Sequence, residues 1–495
     1  MFTPLSARQW NYETAAHLLN RAGFGGTPAE IEAAYAKGPE AAVRDLVDVS
    51  DDLANVPSPA WAHPRPIGRI VTQMRSKRIS RREQKERKRA FHDMEGENIL
   101  DLRHWWLERM LTSPAPLLEK MTLFWHGHFA TSVLKVRDGY WMWLQNDTLR
   151  RNALGNFAAL TKKMSRDPAM MIYLDLQESE KEHPNENWAR ELMELFTIGI
   201  GNYSEQDIRE SARAFTGYRV NLRTQEFRFK DFEHDASSKT FMGRTGAFDG
   251  DDIIDTLLEK PACGQFIGRK IWRYFVEDEP SPQIVEAFAD RIRAHKYEVR
   301  PLLRELFSSS EFYSERVVRN QIKSPVQFLI QTAKLLEIPL PPVAIAQNAM
   351  RQMGQILFAP PSVKGWDGGK SWISTSTLLF RYNFANYLIN GEAMLPASNP
   401  GKQKGMDLAF ARAAALTTET RRDPIDVSKL IPGDLREKPQ ELVAHLSHRL
   451  FQAKPSAKEA EAFVQYLKAR YPDTGDETMR GLLHLMMSTP QFQLT

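Results

Sequence analysis

Glu191 and Glu194 stand three positions apart in the segment NENWARELMELFTIG, residues 185–199. On a helix this spacing puts the two carboxylates on nearly one face, with Asn187 in the same stripe. Carboxylates held close repel as anions, so one tends to keep its proton. Such a split pair supplies a general acid and a general base. Glycoside hydrolysis needs two carboxylates roughly 5–10 Å apart, a span these side chains can reach. The predicted chemistry is acid/base hydrolysis, with Glu191 and Glu194 catalytic and Asn187 orienting. The competing reading is a surface helix on which Arg190 pairs with the carboxylates.

Two further clusters could join that pair. His126 and His128 form an HxH. On a helix these side chains diverge by about 200°, which puts His128 on the apolar face and His126 near the opposite side. His128 is the candidate for orienting substrate. His234-Asp235 follows a predicted hairpin, where a loop imidazole can carry a proton; both are assigned to assist catalysis. Arg213 and Lys239 suit an anionic or hydroxyl-rich substrate and equally suit structural ion pairs. Trp366 and Trp372 flank a Gly-Gly in the loop APPSVKGWDGGKSWISTS, 359–376. Flat rings with polar neighbours suit the apolar faces and hydroxylated rims of sugars, so both are assigned to substrate subsites; the competing reading is that both rings plug the core beneath the loop. Trp105, Trp106, Trp141 and Trp143 read as core.

No cofactor is assigned. A divalent metal is the alternative, held by His128, Glu191, Glu194 and His234, because imidazole with carboxylate suits zinc, manganese or iron. A ferritin-like site would need Glu-x-x-His on facing helices, and the segment carries Glu-x-x-Glu instead. A third reading is a binding or assembly module without catalysis.

The elements that must position these residues are mostly helical. Residues 117–130 place Leu117, Met121, Phe124 and His128 along one face. Residues 98–111 form another helix, stopped at Ser113-Pro114. The 185–199 segment has the sharpest period, with Trp188, Leu192, Leu195 and Phe196 apolar and Gly199 and Gly201 ending it. Ser204 to Asp207 resembles a capping box for the next helix. Residues 218–230 alternate and predict a β-hairpin turning near Thr224-Gln225. A loop with Lys239 and Gly243 follows. PLLRELFSSSEFYSE (301–315) and GLLHLMMSTPQFQLT (481–495) echo one another, too far apart for a solenoid, as two related helical endings. The fold expected is all-α: a main helical domain over 1–394 with one small hairpin, a linker over 395–436, and a C-terminal helical appendage over 437–495.

Composition narrows the function classes. The 66 basic and 62 acidic residues leave a net charge of +4 on 495 residues, which calls for neither nucleic acid nor an anionic membrane. The basic run RSKRISRREQKERKR, 75–89, has no interleaved aromatic and reads as a solvated helix or insert. The single cysteine, Cys263, excludes an intramolecular disulfide and thiolate zinc clusters. No apolar run is long enough to span a membrane. The first residues lack the pattern of a secretory signal, so either the chain as given is cytoplasmic or a leader has been removed, and the compartment is left open. GxSxG, P-loop and GxGxxG motifs are absent.

The fragments AAHLLNRAGFG, LFWHGHFATS, NENWARELMELFTIGIGNYSEQDIRESARAFTGY, the His234-Asp235 pair, KSP and VKGWDGGKSWIS occur in that order. Together they resemble the large bacterial family catalogued as domain of unknown function eighteen hundred, over residues 14 to 495. The resemblance implies a mostly helical protein and transfers no activity. It also implies relatives that are often exported, and a co-encoded protein of sulfatase-like fold as a partner. The partner class expected from the residues is a carbohydrate.

Overall fold

The computed structural model describes residues 2–65, 80–391 and 422–495. The start of the basic run and most of the expected linker, 395–421, lie outside the described residues. The chain is 61% helical, well above the third or so typical of globular proteins.

Three short helices open the chain, α1 (Tyr12–Ala22), α2 (Pro28–Lys37) and α3 (Pro39–Val47). Next come the long α4 (Arg81–Thr112), α5 (Pro116–His128), α6 (Val133–Val136), α7 (Gly139–Arg151), α8 (Phe157–Met164) and α9 (Pro168–Tyr173). The helix α10 (Glu186–Glu191) runs into a π-helical turn, Leu192–Thr197, before α11 (Glu205–Ala214). After two hairpins follow α12 (Gly250–Leu258), α13 (Pro261–Phe275), α14 (Pro282–Ala294), α15 (Val299–Phe307), α16 (Pro325–Leu336), α17 (Val343–Met353) and α18 (Thr375–Asn390). The chain closes with α19 (Pro439–Leu450), α20 (Ala457–Lys468) and α21 (Asp476–Met487).

The helix at 98–111 is longer than its apolar period. It starts at Arg81, where the Ser80 hydroxyl accepts from the Glu83 N–H, and exposed Glu-Arg pairs one turn apart support the polar first turns. The basic run from Arg81 onward is therefore a helix. The hairpin β1 (Tyr218–Asn221) and β2 (Glu226–Phe229) pairs Tyr218 with Phe229 and turns over 222–225. The loop expected around Lys239 and Gly243 is instead a second hairpin, β3 (Lys239–Phe241) and β4 (Arg244–Gly246). Its two turn residues, Met242 and Gly243, both have positive φ, the turn twist that matches paired strands.

Two apolar cores result. One gathers α1–α3, α5 and α8–α15; the other gathers α4, α6, α7 and α16–α21. Helix α5 serves both: Leu117, Met121, Phe124 and Trp125 enter the first core and Leu123 the second. Each fully buried large side chain there contributes about 1.5–3 kcal/mol. The echoed endings close two related three-helix units, α13–α15 and α19–α21. Both units open at Lys-Pro (260–261 and 438–439) and finish on a buried Phe (Phe312 and Phe492). Each is tied off by an isolated antiparallel bridge, Pro4 with Ser309 and Ile322 with Leu494.

Candidate functional site

A cavity of about 800 Å³ opens where elements of both cores meet. Helix α5 supplies Lys120, Phe124 and His128, and the π-helical turn supplies Glu194 and Leu195. Helix α13 supplies Phe266, Arg269, Lys270 and Arg273. The glycine-rich loop supplies Lys364, Trp366, Asp367 and Trp372, and Asp278 and Gln327 complete the polar wall.

The HxH sets this geometry from both sides of α5. The helix is buried nearly all round, so His126 does not reach solvent as its position opposite the apolar face implied. His126 Nε2 accepts from the Phe358 N–H at 3.0 Å, and its ring packs on Trp106, Phe358 and Trp366. Burial holds its pKa at about 3, so it stays neutral and acts as a staple for the tryptophan loop. The same loop is held by Arg103, whose Nε donates to the Leu357 carbonyl at 2.8 Å. Gly365, at φ +84°, lies so close to Gly127 that an added Cβ would sit 2.3 Å from the Gly127 carbonyl oxygen. Only glycine allows that approach.

His128 faces the other way. Its Nε2 is 3.1 Å from the Phe196 carbonyl, and Lys270 Nζ lies 3.0 Å from its Nδ1. The Lys270 donor fixes the tautomer: Nε2–H donates to Phe196 and Nδ1 accepts. Burial, then the Lys270 charge, holds the His128 pKa well below the usual imidazole range.

The carboxylates are handled by the π-helical turn. The Ile198 N–H donates to the Met193 carbonyl five residues back, which widens the turn. Glu194 lines the cavity and accepts from the Tyr203 hydroxyl at 2.8 Å. Glu191 is half-buried outside the cavity lining. Burial, then repulsion from Glu194, raises its pKa, so the two carboxylates do sense each other. Arg190 does not ion-pair with either; it pairs with Glu205 at 2.9 Å and Glu186 at 3.5 Å.

His128, Glu194, Trp366 and Trp372 thus share one cavity, although they are remote in sequence. The remaining candidates do not line it. Asn187 donates to Asp175 at 3.3 Å beside Lys135. His234 places Nδ1 3.0 Å from the Thr216 carbonyl and packs on Phe229. Asp235 pairs with Arg213 at 2.7 Å, and Arg213 also pairs with Glu210 at 2.6 Å. Burial opposes the Asp235 charge, but Arg213 and Ser237 hold its carboxyl down at about 2. Lys239 is buried and donates to the Asp235 and Ser237 carbonyls. These contacts knit the second hairpin to α11. The alternative metal set is not assembled: among the described residues no group of three or more His, Cys, Asp and Glu is placed to hold a metal ion.

Lys120, Arg269, Lys270, Arg273 and Tyr203 were not picked out by sequence reasoning. One signal existed: Lys120, Phe124 and His128 recur every four residues, which sets a lysine on an apolar stripe. Burial pulls the pKa of Lys120 and of Lys270 down to about 7, with Arg21 adding to the effect at Lys120 and Arg273 at Lys270.

No helix of the described residues is long and apolar enough to cross a membrane. No curated protein and no solved structure matches the chain. A family model described as protein of unknown function, DUF1800, matches residues 17–494, in keeping with the helical fold and the motifs that build the cavity, and the chain belongs to that family.

Proposed function

We propose that this cavity binds a carbohydrate chain and that the protein is a glycan-acting hydrolase, with Glu194 as the proton-transfer residue. One observation carries the reading: Glu194 and the two loop tryptophans, more than 170 positions apart in sequence, line the same cavity. Indole faces stack on the apolar faces of sugar rings, while side-chain amides and charges meet the hydroxyls. Glycoside hydrolysis uses two carboxylates. Asp367, which lines the cavity and pairs with Lys364 at 2.7 Å, is assigned here as the second carboxylate. Glu191 then tunes Glu194 from behind, and Tyr203 orients it. His234, Asp235, Arg213 and Lys239 support the neighbouring hairpins in this reading.

The test is a hydrolysis screen against a glycan library, with and without chelator, on the native protein and on Glu194→Gln and Trp366→Ala. Expected is a released product that Glu194→Gln reduces at least about 100-fold, the loss typical of a missing general acid or base. Trp366→Ala is expected to weaken binding about tenfold. A library that yields no product, or product release equal in Glu194→Gln, refutes the hydrolase reading.

A further inference from the structure

The cavity holds more positive charge than its own carboxylates neutralise. Lys120, Arg269, Lys270 and Arg273 all line it. No carboxylate of the described residues lies within 4.0 Å of any of these four groups. Lys120 is buried, Lys270 half-buried, and Arg269 and Arg273 exposed, and the two ammonium groups have only neutral partners. Lys120 Nζ donates to Gln327 Oε1 at 2.6 Å and lies over the Phe24 and Tyr274 rings. Lys270 Nζ contacts His128 Nδ1 and the Leu195 carbonyl at 3.2 Å. Arg150, fully buried, by contrast binds Glu119 at 2.9 Å, whereas the buried Arg21 and Arg381 are met by carbonyl and amide oxygens. The acidic groups that do line the cavity are engaged or fewer. Of the acidic side chains on its wall, Glu194 accepts from Tyr203, Asp367 pairs with Lys364, and Asp278 faces the buried Arg21.

A buried ammonium without a counter-ion is costly unless something supplies the charge. From this we infer that the α5–α13 side of the cavity is an oxyanion subsite, built by Lys120, Lys270, Arg269 and Arg273. Its ligand carries a sulfate, phosphate or carboxylate group. Ammonium and guanidinium donors recognise all three by charge-assisted hydrogen bonds. The inference deepens the carbohydrate reading, because it makes the substrate an acidic glycan, yet the subsite can be tested without turnover. The lowered pKa of both lysines fits the same picture, since an arriving anion would restore their charge.

The probes are inorganic sulfate, inorganic phosphate and glucuronate, each titrated calorimetrically into the full chain against chloride at matched ionic strength. Expected is saturable binding of at least one, weakened about tenfold or more in Lys270→Met and in the exposed Arg269→Gln, which does not disturb packing. The order of the three affinities names the group. If none binds more tightly than chloride, or if both variants bind as the native chain does, the subsite is refuted. Oxyanion binding without hydrolysis of any glycan would sink the hydrolase and leave the subsite standing. Hydrolysis confined to neutral glycans, with no oxyanion binding, would do the reverse.

Discussion

Replacing Lys120 by methionine makes the buried ammonium directly measurable. Burial takes the Lys120 pKa from 10.5 to about 7. Below pH 7 both the folded and the unfolded chain hold the proton, so the full cost of burying the charge is present. Between pH 7 and 10.5 the folded chain has released the proton and the unfolded chain still binds it. Native stability therefore rises with pH by about 1.4 kcal/mol per unit, on the order of 5 kcal/mol in all. Methionine keeps the length of the side chain and lies well against the Phe24 and Tyr274 rings. It loses the bond to Gln327 Oε1, at about 1–3 kcal/mol for an acceptor left unpaired. Lys120→Met is thus expected to be more stable than the native chain at pH 6.5, by about 2–4 kcal/mol, and to lose that advantage by pH 10. Urea midpoints at pH 6.5, 8 and 9.5, in chloride buffers free of sulfate and phosphate, give the comparison. A stability difference that stays flat across these pH values, or a variant weaker than native at pH 6.5, refutes an unpaired ammonium at this position.

Two structural predictions accompany it. Glu119, fully buried, accepts from Arg150 Nε and Nη2 and from Trp106 Nε1, so Glu119→Gln leaves a buried guanidinium uncompensated and should cost about 3–5 kcal/mol by chemical denaturation. Unchanged stability in that variant would mean the pair is not closed in solution. Gly365→Ala drives a Cβ into the Gly127 carbonyl from a left-handed backbone, so the loop must shift and carry Trp366 with it. On the proposed carbohydrate reading, glycan affinity should fall about tenfold or more while the helical circular dichroism is retained, and native affinity in this variant would separate the loop from the proposed site.

The sequence by itself determined the helical class, the first hairpin and the burial of most apolar stripes, because these follow from local period and capping. The 117–130 helix, the end of the long helix at Ser113 and the capping box at Ser204 are all properties of a few consecutive residues. It also marked four side chains that meet in one cavity, since a histidine on an apolar face, a carboxylate in a sharp helix and tryptophans in a glycine loop each stand out locally. Only the tertiary structure decided which companions they have. The π-helical turn changes the angular spacing between Glu191 and Glu194, and an α-helical wheel does not anticipate it. His126 is buried because α5 is enclosed on all sides, which depends on elements far away in the chain. His234 and Asp235 have the residue types of a site but spend their hydrogen bonds on Thr216, Arg213 and Ser237. Lys270 looks like an ordinary surface lysine in the sequence, and Lys120 is marked only by its place on an apolar stripe. Their meaning comes from desolvation and from the absence of a nearby carboxylate among the described residues, and both depend on the arrangement of the surrounding helices in space.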